Sequence, residues 1–121
     1  MAKWVDTAVL DVALTEIARA GRMLAVAGQP AGYAAAVDGR LAEAALAPAD
    51  FTLADSAGGR RVAVAAKNDV PVTEGGVADH VALVHDASSR LLYVTTCPPQ
   101  ELLAGGSVSF DSWFVEIGAP A

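Results

Sequence analysis

Between Asp6 and Ala20 the apolar residues Val9, Leu10, Ala13, Leu14, Ile17 and Ala18 recur at three- and four-residue spacing. That spacing lays one apolar stripe along a helix. Asp6 or Thr7 is placed to cap the free amides of the first turn. Gly21 stands where a left-handed residue closes many helices, and Arg19 and Arg22 suit the negative end of the helix dipole. A helix of ~15 residues is marginal alone, so this one is expected to lie against a sheet or a neighbouring subunit.

After Gly21 the pattern shortens and becomes β-like. Met23 to Ala27 is an apolar run stopped by Gly28-Gln29-Pro30, the mark of a buried strand. Residues 31–49 are ambiguous: Tyr33 to Val37 fits a helical turn, and Arg40 to Ala47 fits helix or strand. The short interval between Asp38-Gly39 and Pro48 favours an extended edge for the second piece. Asp50 to Ala54 alternates, turns at Asp55-Ser56-Ala57-Gly58-Gly59, and Arg61 to Ala66 alternates again. Val70 to Thr73 continues extended, with Pro71 restricting it to an edge or a bulge.

The clearest β signal lies in the last third. Val77 to His85 and Arg90 to Thr96 are β-rich runs joined by the small polar turn Asp86-Ala87-Ser88-Ser89, a hairpin that Thr96-Cys97-Pro98-Pro99 is expected to end. Gly105-Gly106 precedes a last strand, Ser107 to Ile117. Large apolar residues on both of its faces (Val108, Phe110 and Phe114 on one, Trp113, Val115 and Ile117 on the other) imply a strand covered on both sides or pressed against another chain. The expected architecture is mainly β: a single-domain antiparallel β-sandwich or barrel with one N-terminal α-helix. It divides into an arm (1–5), a helix (6–20) and a β-rich body (22–117).

Composition changes this picture little. The 121 residues suffice for one core without staples. Alanine, with 27 residues, inflates the apolar share of 54 %, and the 15 valines are the better sign of sheet. No apolar run approaches the roughly 20 residues that span a bilayer, and Met-Ala-Lys-Trp-Val-Asp does not resemble a signal peptide. Synthesis in the cytoplasm and no membrane partner are therefore expected. The net charge of −6, with only Arg60-Arg61 adjacent among the basic residues, excludes a phosphate-binding stripe and hence a nucleic-acid partner.

Candidate chemistry is sparse. His80 and His85 are five apart on one strand, so their rings leave on opposite faces and cannot share a metal unless a bulge intervenes. With Asp79 and Asp86 beside them they read as solvated positions at strand ends. Cys97, the single cysteine, excludes a disulfide framework and reads as a structural thiol, with no helix beginning after it to activate it. No nucleophile elbow, P-loop or His-Glu-x-x-His occurs. No catalytic residue, cofactor or metal is assigned, and the protein is expected not to be an enzyme. Trp4 and Trp113 are either core residues or interface anchors. Lys3, Trp4 and Val5, on an arm reaching outward, and Trp113 are the candidate interface residues.

These pieces in order resemble small virion proteins encoded among the head and tail genes of tailed bacteriophages and prophages. The resemblance is carried by Met1-Ala-Lys-Trp-Val5 with Val9-Leu-Asp-Val-Ala-Leu14 behind it, and Gln29-Pro30 with Tyr33-Ala34. Further along it is carried by Asp50 to Asp55, His80 to Val84, Arg90 to Thr96 and Gly106-Ser107-Val108. It implies a capsid decoration (cement) protein on the outer face of the virion. Its partner would be the major capsid protein, and it would form a homo-oligomer, with trimers common among such proteins. The competing role it implies is a tail- or fibre-associated domain for attachment. Under either role the arm Met1 to Val5 is expected to dock on a neighbour.

Overall fold

The computed structural model describes residues 5–118; Lys3 and Trp4 lie outside them. The element order is α1 (Thr7–Ile17), β1 (Arg22–Val26), α2 (Tyr33–Asp38), β2 (Arg40–Ala45), β3 (Phe51–Ser56), β4 (Gly59–Val64), β5 (Lys67–Pro71), β6 (Gly76–His85), β7 (Arg90–Leu102), β8 (Ser107–Phe110) and β9 (Trp113–Gly118). Every ladder is antiparallel. A four-stranded sheet runs β2-β1-β6-β7, a three-stranded sheet β3-β4-β9, and β5 pairs with β8. The mainly β, antiparallel class expected from the sequence is the one observed.

Strand alternation builds the core. On β1 and β6, Met23, Ala25, Val81 and Leu83 face the interior between the sheets, where Val64, Val70, Leu102 and Phe110 meet them. Leu24, Val26, Ala82 and Val84 face the other way and are covered by α2 through Ala36, Tyr33 and Val37. An extra residue on β7 keeps both faces served: the register steps from Leu83↔Tyr93 to Val84↔Leu91. Leu92 and Tyr93 therefore both point inward, while Leu91 and Val94 pack under α2. The ambiguous stretch resolves as the short helix α2 followed by the strand β2, so the β body contains a second helix.

α1 closes the inner face of the three-stranded sheet. Leu14, fully buried, sits on Val62 and Val115. Asp6 caps the helix as expected, accepting from the Ala8 amide at 2.9 Å. The helix ends earlier than its pattern suggests, at Ile17, and Gly21 is not its left-handed terminus. The last turn tightens through Arg19 N to Glu16 O and Ala20 N to Ile17 O. Gly21 instead donates to Val84 O and accepts from Leu46 N, so the sheet has already claimed it.

Two further expectations are corrected. The hairpin does not end at Thr96-Cys97-Pro98-Pro99, because β7 continues to Leu102 with Gly76↔Leu102 at its base. The prolines are tolerated because they lie on an edge strand at a register break, between the Gln100 and Thr96 pairings, where no ladder bond needs their missing N–H. The last strand is not continuous either. It breaks at Asp111-Ser112, giving Val108 and Phe110 to β8 and the rest to β9, which changes sheet. Trp113, Val115 and Ile117 face the core, but the opposite face of β9 is open and Phe114 is 51 % exposed. Pro71 behaves as expected, at the end of the two-stranded β5–β8 ribbon.

Candidate binding surface

The polar cluster with the most elements is built around Arg22 at the start of β1. Its Nε donates to Asp86 Oδ2 at 2.8 Å and its Nη2 to Asp86 Oδ1 at 2.6 Å, while Nη1 reaches Glu43 on β2. The Tyr33 hydroxyl, from α2, donates to the same Asp86 Oδ1 at 2.7 Å. One carboxylate in the β6–β7 turn thus fastens β1 and α2, and one guanidinium joins β2 to them. Arg22 holds the Asp86 carboxyl below its usual range, and Asp86 and Glu43 in turn raise the Arg22 guanidinium. A second set ties α1 down: Asp11 accepts from Arg60 at 2.8 Å, and Glu16 accepts from Arg90 at 3.0 Å.

These clusters act as clamps, since each side chain in them is held by a partner from another element. Asp86→Asn is expected to destabilise the protein by about 1–2 kcal/mol. Charge-assisted bonds are lost, but Asp86 is 44 % exposed and water replaces part of them. A urea titration of the variant measures it. Asp50, held low by the Ala47 amide and Lys67, and Asp86 both have depressed folded-state values against an ordinary 3.8. A depressed carboxyl contributes stability above its ordinary value and loses it as pH falls through the folded value. The wild type should therefore lose stability on acidification below about pH 4, and Asp86→Asn should lose less over that range.

The histidines separate as their spacing requires. His80 lies on the α2 face, with Nδ1 2.7 Å from Asp79 Oδ1, and Asp79 also accepts from the Gly28 amide at 2.7 Å. His85 lies on the opposite face, with Nδ1 2.6 Å from Ser88 Oγ. It lines a groove beneath the C-terminal end of α1 with Leu46, Phe51 and Leu53. The register break nearest His80 does not bring the two rings together. Among the described residues no three His, Cys, Asp or Glu side chains gather at metal-binding spacing.

The groove beneath α1 measures about 590 Å³, and a second concavity, a cleft of about 530 Å³, opens at one edge of the sandwich. Its floor is the inner face of the four-stranded sheet at Ala25, Ala78 and Val81. One wall is β7 from Thr95 to Pro98, and the other is β8 and the Asp111-Ser112 link into Trp113. The volume falls within the range of about 300–1,000 Å³ typical of ligand sites. Cys97 is half-buried in the β7 wall, and burial, with Asp79 nearby, pushes its thiol up, which makes it a poor nucleophile.

Trp113 forms the inner corner of this cleft. Its ring stacks on Tyr93, with centroids 6.0 Å apart, and its buried Nε1 has no hydrogen-bond partner. Val5 is half-buried just ahead of α1. Sequence reasoning gave Arg22 to the helix dipole, Tyr33 to a helical turn and Phe110 to a strand face, and none of them to these sites; Arg22 instead opens β1 and binds Asp86. Arg22 and Asp86 are 64 residues apart, so no local spacing could have paired them. Phe110 enters the cleft only because the chain breaks directly after it.

Large apolar side chains also remain exposed at separate places: Val9 (60 %) and Val12 (72 %) on α1, Val77 on β6, Leu103 (69 %) in the β7–β8 turn and Phe114 on β9. Arg61 lies over the Phe114 ring at 5.0 Å. No described helix is long and apolar enough to cross a membrane. Compared with protein-family models, curated proteins and solved structures, the chain matches none.

Proposed function

We propose that the protein is a non-enzymatic virion component that binds the outer face of a phage capsid and stabilises the joints between its subunits. The observation that carries this reading is the distribution of apolar surface. No polar or charged side chain is buried among the described residues, yet large apolar ones are left uncovered on α1, β9 and the β7–β8 turn. A domain with a packed core and several separate apolar exposures is suited to being covered from more than one side. A cement protein makes contacts of that kind, and binding only the assembled shell stabilises it by mass action. The acidic balance suits the outside of the particle rather than its DNA-filled lumen.

The open cleft favours a second reading, a tail- or fibre-associated domain that binds a host surface. Counting copies separates the two. Quantitative mass spectrometry of purified particles is expected to give this chain in a simple ratio to the major capsid protein, with heat resistance lost when the chain is removed. A few copies per particle would move the assignment to the tail, and absence from particles would overturn both readings.

A further inference from the structure

The cleft at the edge of the sandwich has polar groups that the fold leaves unused. Its interior is apolar and shared with the core, through Val81, Phe110 and Trp113. Thr95, Thr96, Gln100 and Ser112 also line it, and none of their side chains holds a hydrogen-bond partner among the described residues. In the groove beneath α1, by contrast, Arg19 and His85 are already held by Glu16 and Ser88. An apolar interior ringed by a few uncommitted polar groups is the composition of a small-ligand site.

Charge selects among ligands. Asp111 is the one ionised side chain in the lining; it is exposed and holds no ion pair or hydrogen bond among the described residues. No Lys or Arg lines the cleft. The cations nearest its walls are committed: Lys67, the register partner of Phe110, bonds Asp50 at 3.0 Å, and Arg61 lies over the Phe114 ring. Asp79 adds a second negative charge near the β7 wall, where it helps burial to raise the Cys97 thiol. A field of this sign repels an anion and draws in a cation.

The β7 wall also limits the shape of an occupant. Pro98 stands in it on an edge strand, with no N–H to give, so the wall offers an added strand a poor ladder. A compact ligand suits it better, and about 530 Å³ leaves room for an aromatic or branched body.

We propose that the cleft binds a small apolar amine in its protonated form. The apolar body rests on Val81, Phe110 and Trp113, and the ammonium group pairs with Asp111. Ser112, next in the chain, offers a hydroxyl oxygen to a second ammonium N–H. The site does not depend on what the protein assembles with.

Three probes that share one body and differ in charge test it: phenethylammonium, 2-phenylethanol and 3-phenylpropionate, each titrated into the isotope-labelled full chain near neutral pH and followed by NMR. Phenethylammonium is expected to bind saturably, moving the amides of Thr95, Thr96 and Ser112 and the Trp113 indole N–H. The alcohol should bind about fivefold more weakly, as loss of one exposed ion pair predicts, and the carboxylate more weakly still. Asp111→Asn should bring the ammonium probe to the affinity of the alcohol and leave the alcohol unchanged. Gln100→Trp, which fills the mouth from an exposed position on β7, should abolish binding of both while the melting temperature holds. Equal affinities for the three probes would overturn the proposal, and so would an Asp111→Asn variant that still prefers the ammonium. Shifts centred on Phe51 and Leu53 beneath α1, or no saturable shift with any probe, would overturn it as well. Particle copy number is measured separately, so failure of the capsid reading and failure of this site remain distinct.

Discussion

Replacing Leu83 with alanine is expected to cost about 3–5 kcal/mol, enough to unfold a large part of the population under mild denaturant. Leu83 is fully buried on β6, the strand that pairs with both β1 and β7, and its register partners are Met23 and Tyr93. Truncation removes a branched side chain from between the sheets. The cavity cannot collapse easily, because β6 is held by ladders on both sides. Urea unfolding should show a lower midpoint with an unchanged slope. Leu103→Ala is the control: Leu103 is 69 % exposed in the β7–β8 turn, and its loss should stay within about 0.5 kcal/mol. Equal shifts for the two variants would contradict the packing described for β6.

The contrast between these two leucines also marks what was legible in the sequence. Val77 to His85 is a β-rich run that the small polar turn after it marks as one arm of a hairpin with Arg90 to Thr96, and β6 pairs with β7 in that way. Where the chain changes partner, local pattern misleads. Val108 to Ile117 reads as one strand because β-favouring residues flank Asp111-Ser112 on both sides, yet the sheet changes there. Those two adjacent polar residues are the one local sign of the break, which comes from β8 pairing with β5 and β9 pairing with β4. The prolines of β7 mislead in the opposite way: they look like a terminus, and an edge strand with a register break simply accommodates them.

The lining of the cleft was legible only in part for the same reason. Trp113 stood out by rarity, and the structure places it at the corner of the cleft. The walls around it depend on which sheet edge lies opposite which, a property of topology rather than of spacing. The Arg22–Asp86–Tyr33 clamp was hidden likewise, because the residues of β1, the β6–β7 turn and α2 that compose it meet only after the four-stranded sheet has formed. Asp6, whose partner is two residues away, was readable at once.

Leu14→Ala is expected to have the second large effect, about 2–5 kcal/mol, and the manner of its loss matters as much as its size. Leu14 is the one fully buried residue of α1 and rests on Val62 and Val115. Two ion pairs also hold the helix, the part-buried Asp11–Arg60 and the exposed Glu16–Arg90, but the first loses its shelter and the second is worth little once the apolar contact is gone. If α1 were a peripheral strap, it would open alone and leave the sheets protected. The packing argues against that, because α1 covers the inner face of β4 and β9, and the stacked Tyr93 and Trp113 belong to the same cluster. Amide hydrogen exchange distinguishes the cases. Protection should fall together in α1, β4 and β9 of the variant, as it does for one cooperative unit. Loss confined to residues 7–17 would make α1 separable from the sandwich, and its exposed Val9 and Val12 would then belong to a movable element rather than to a fixed surface.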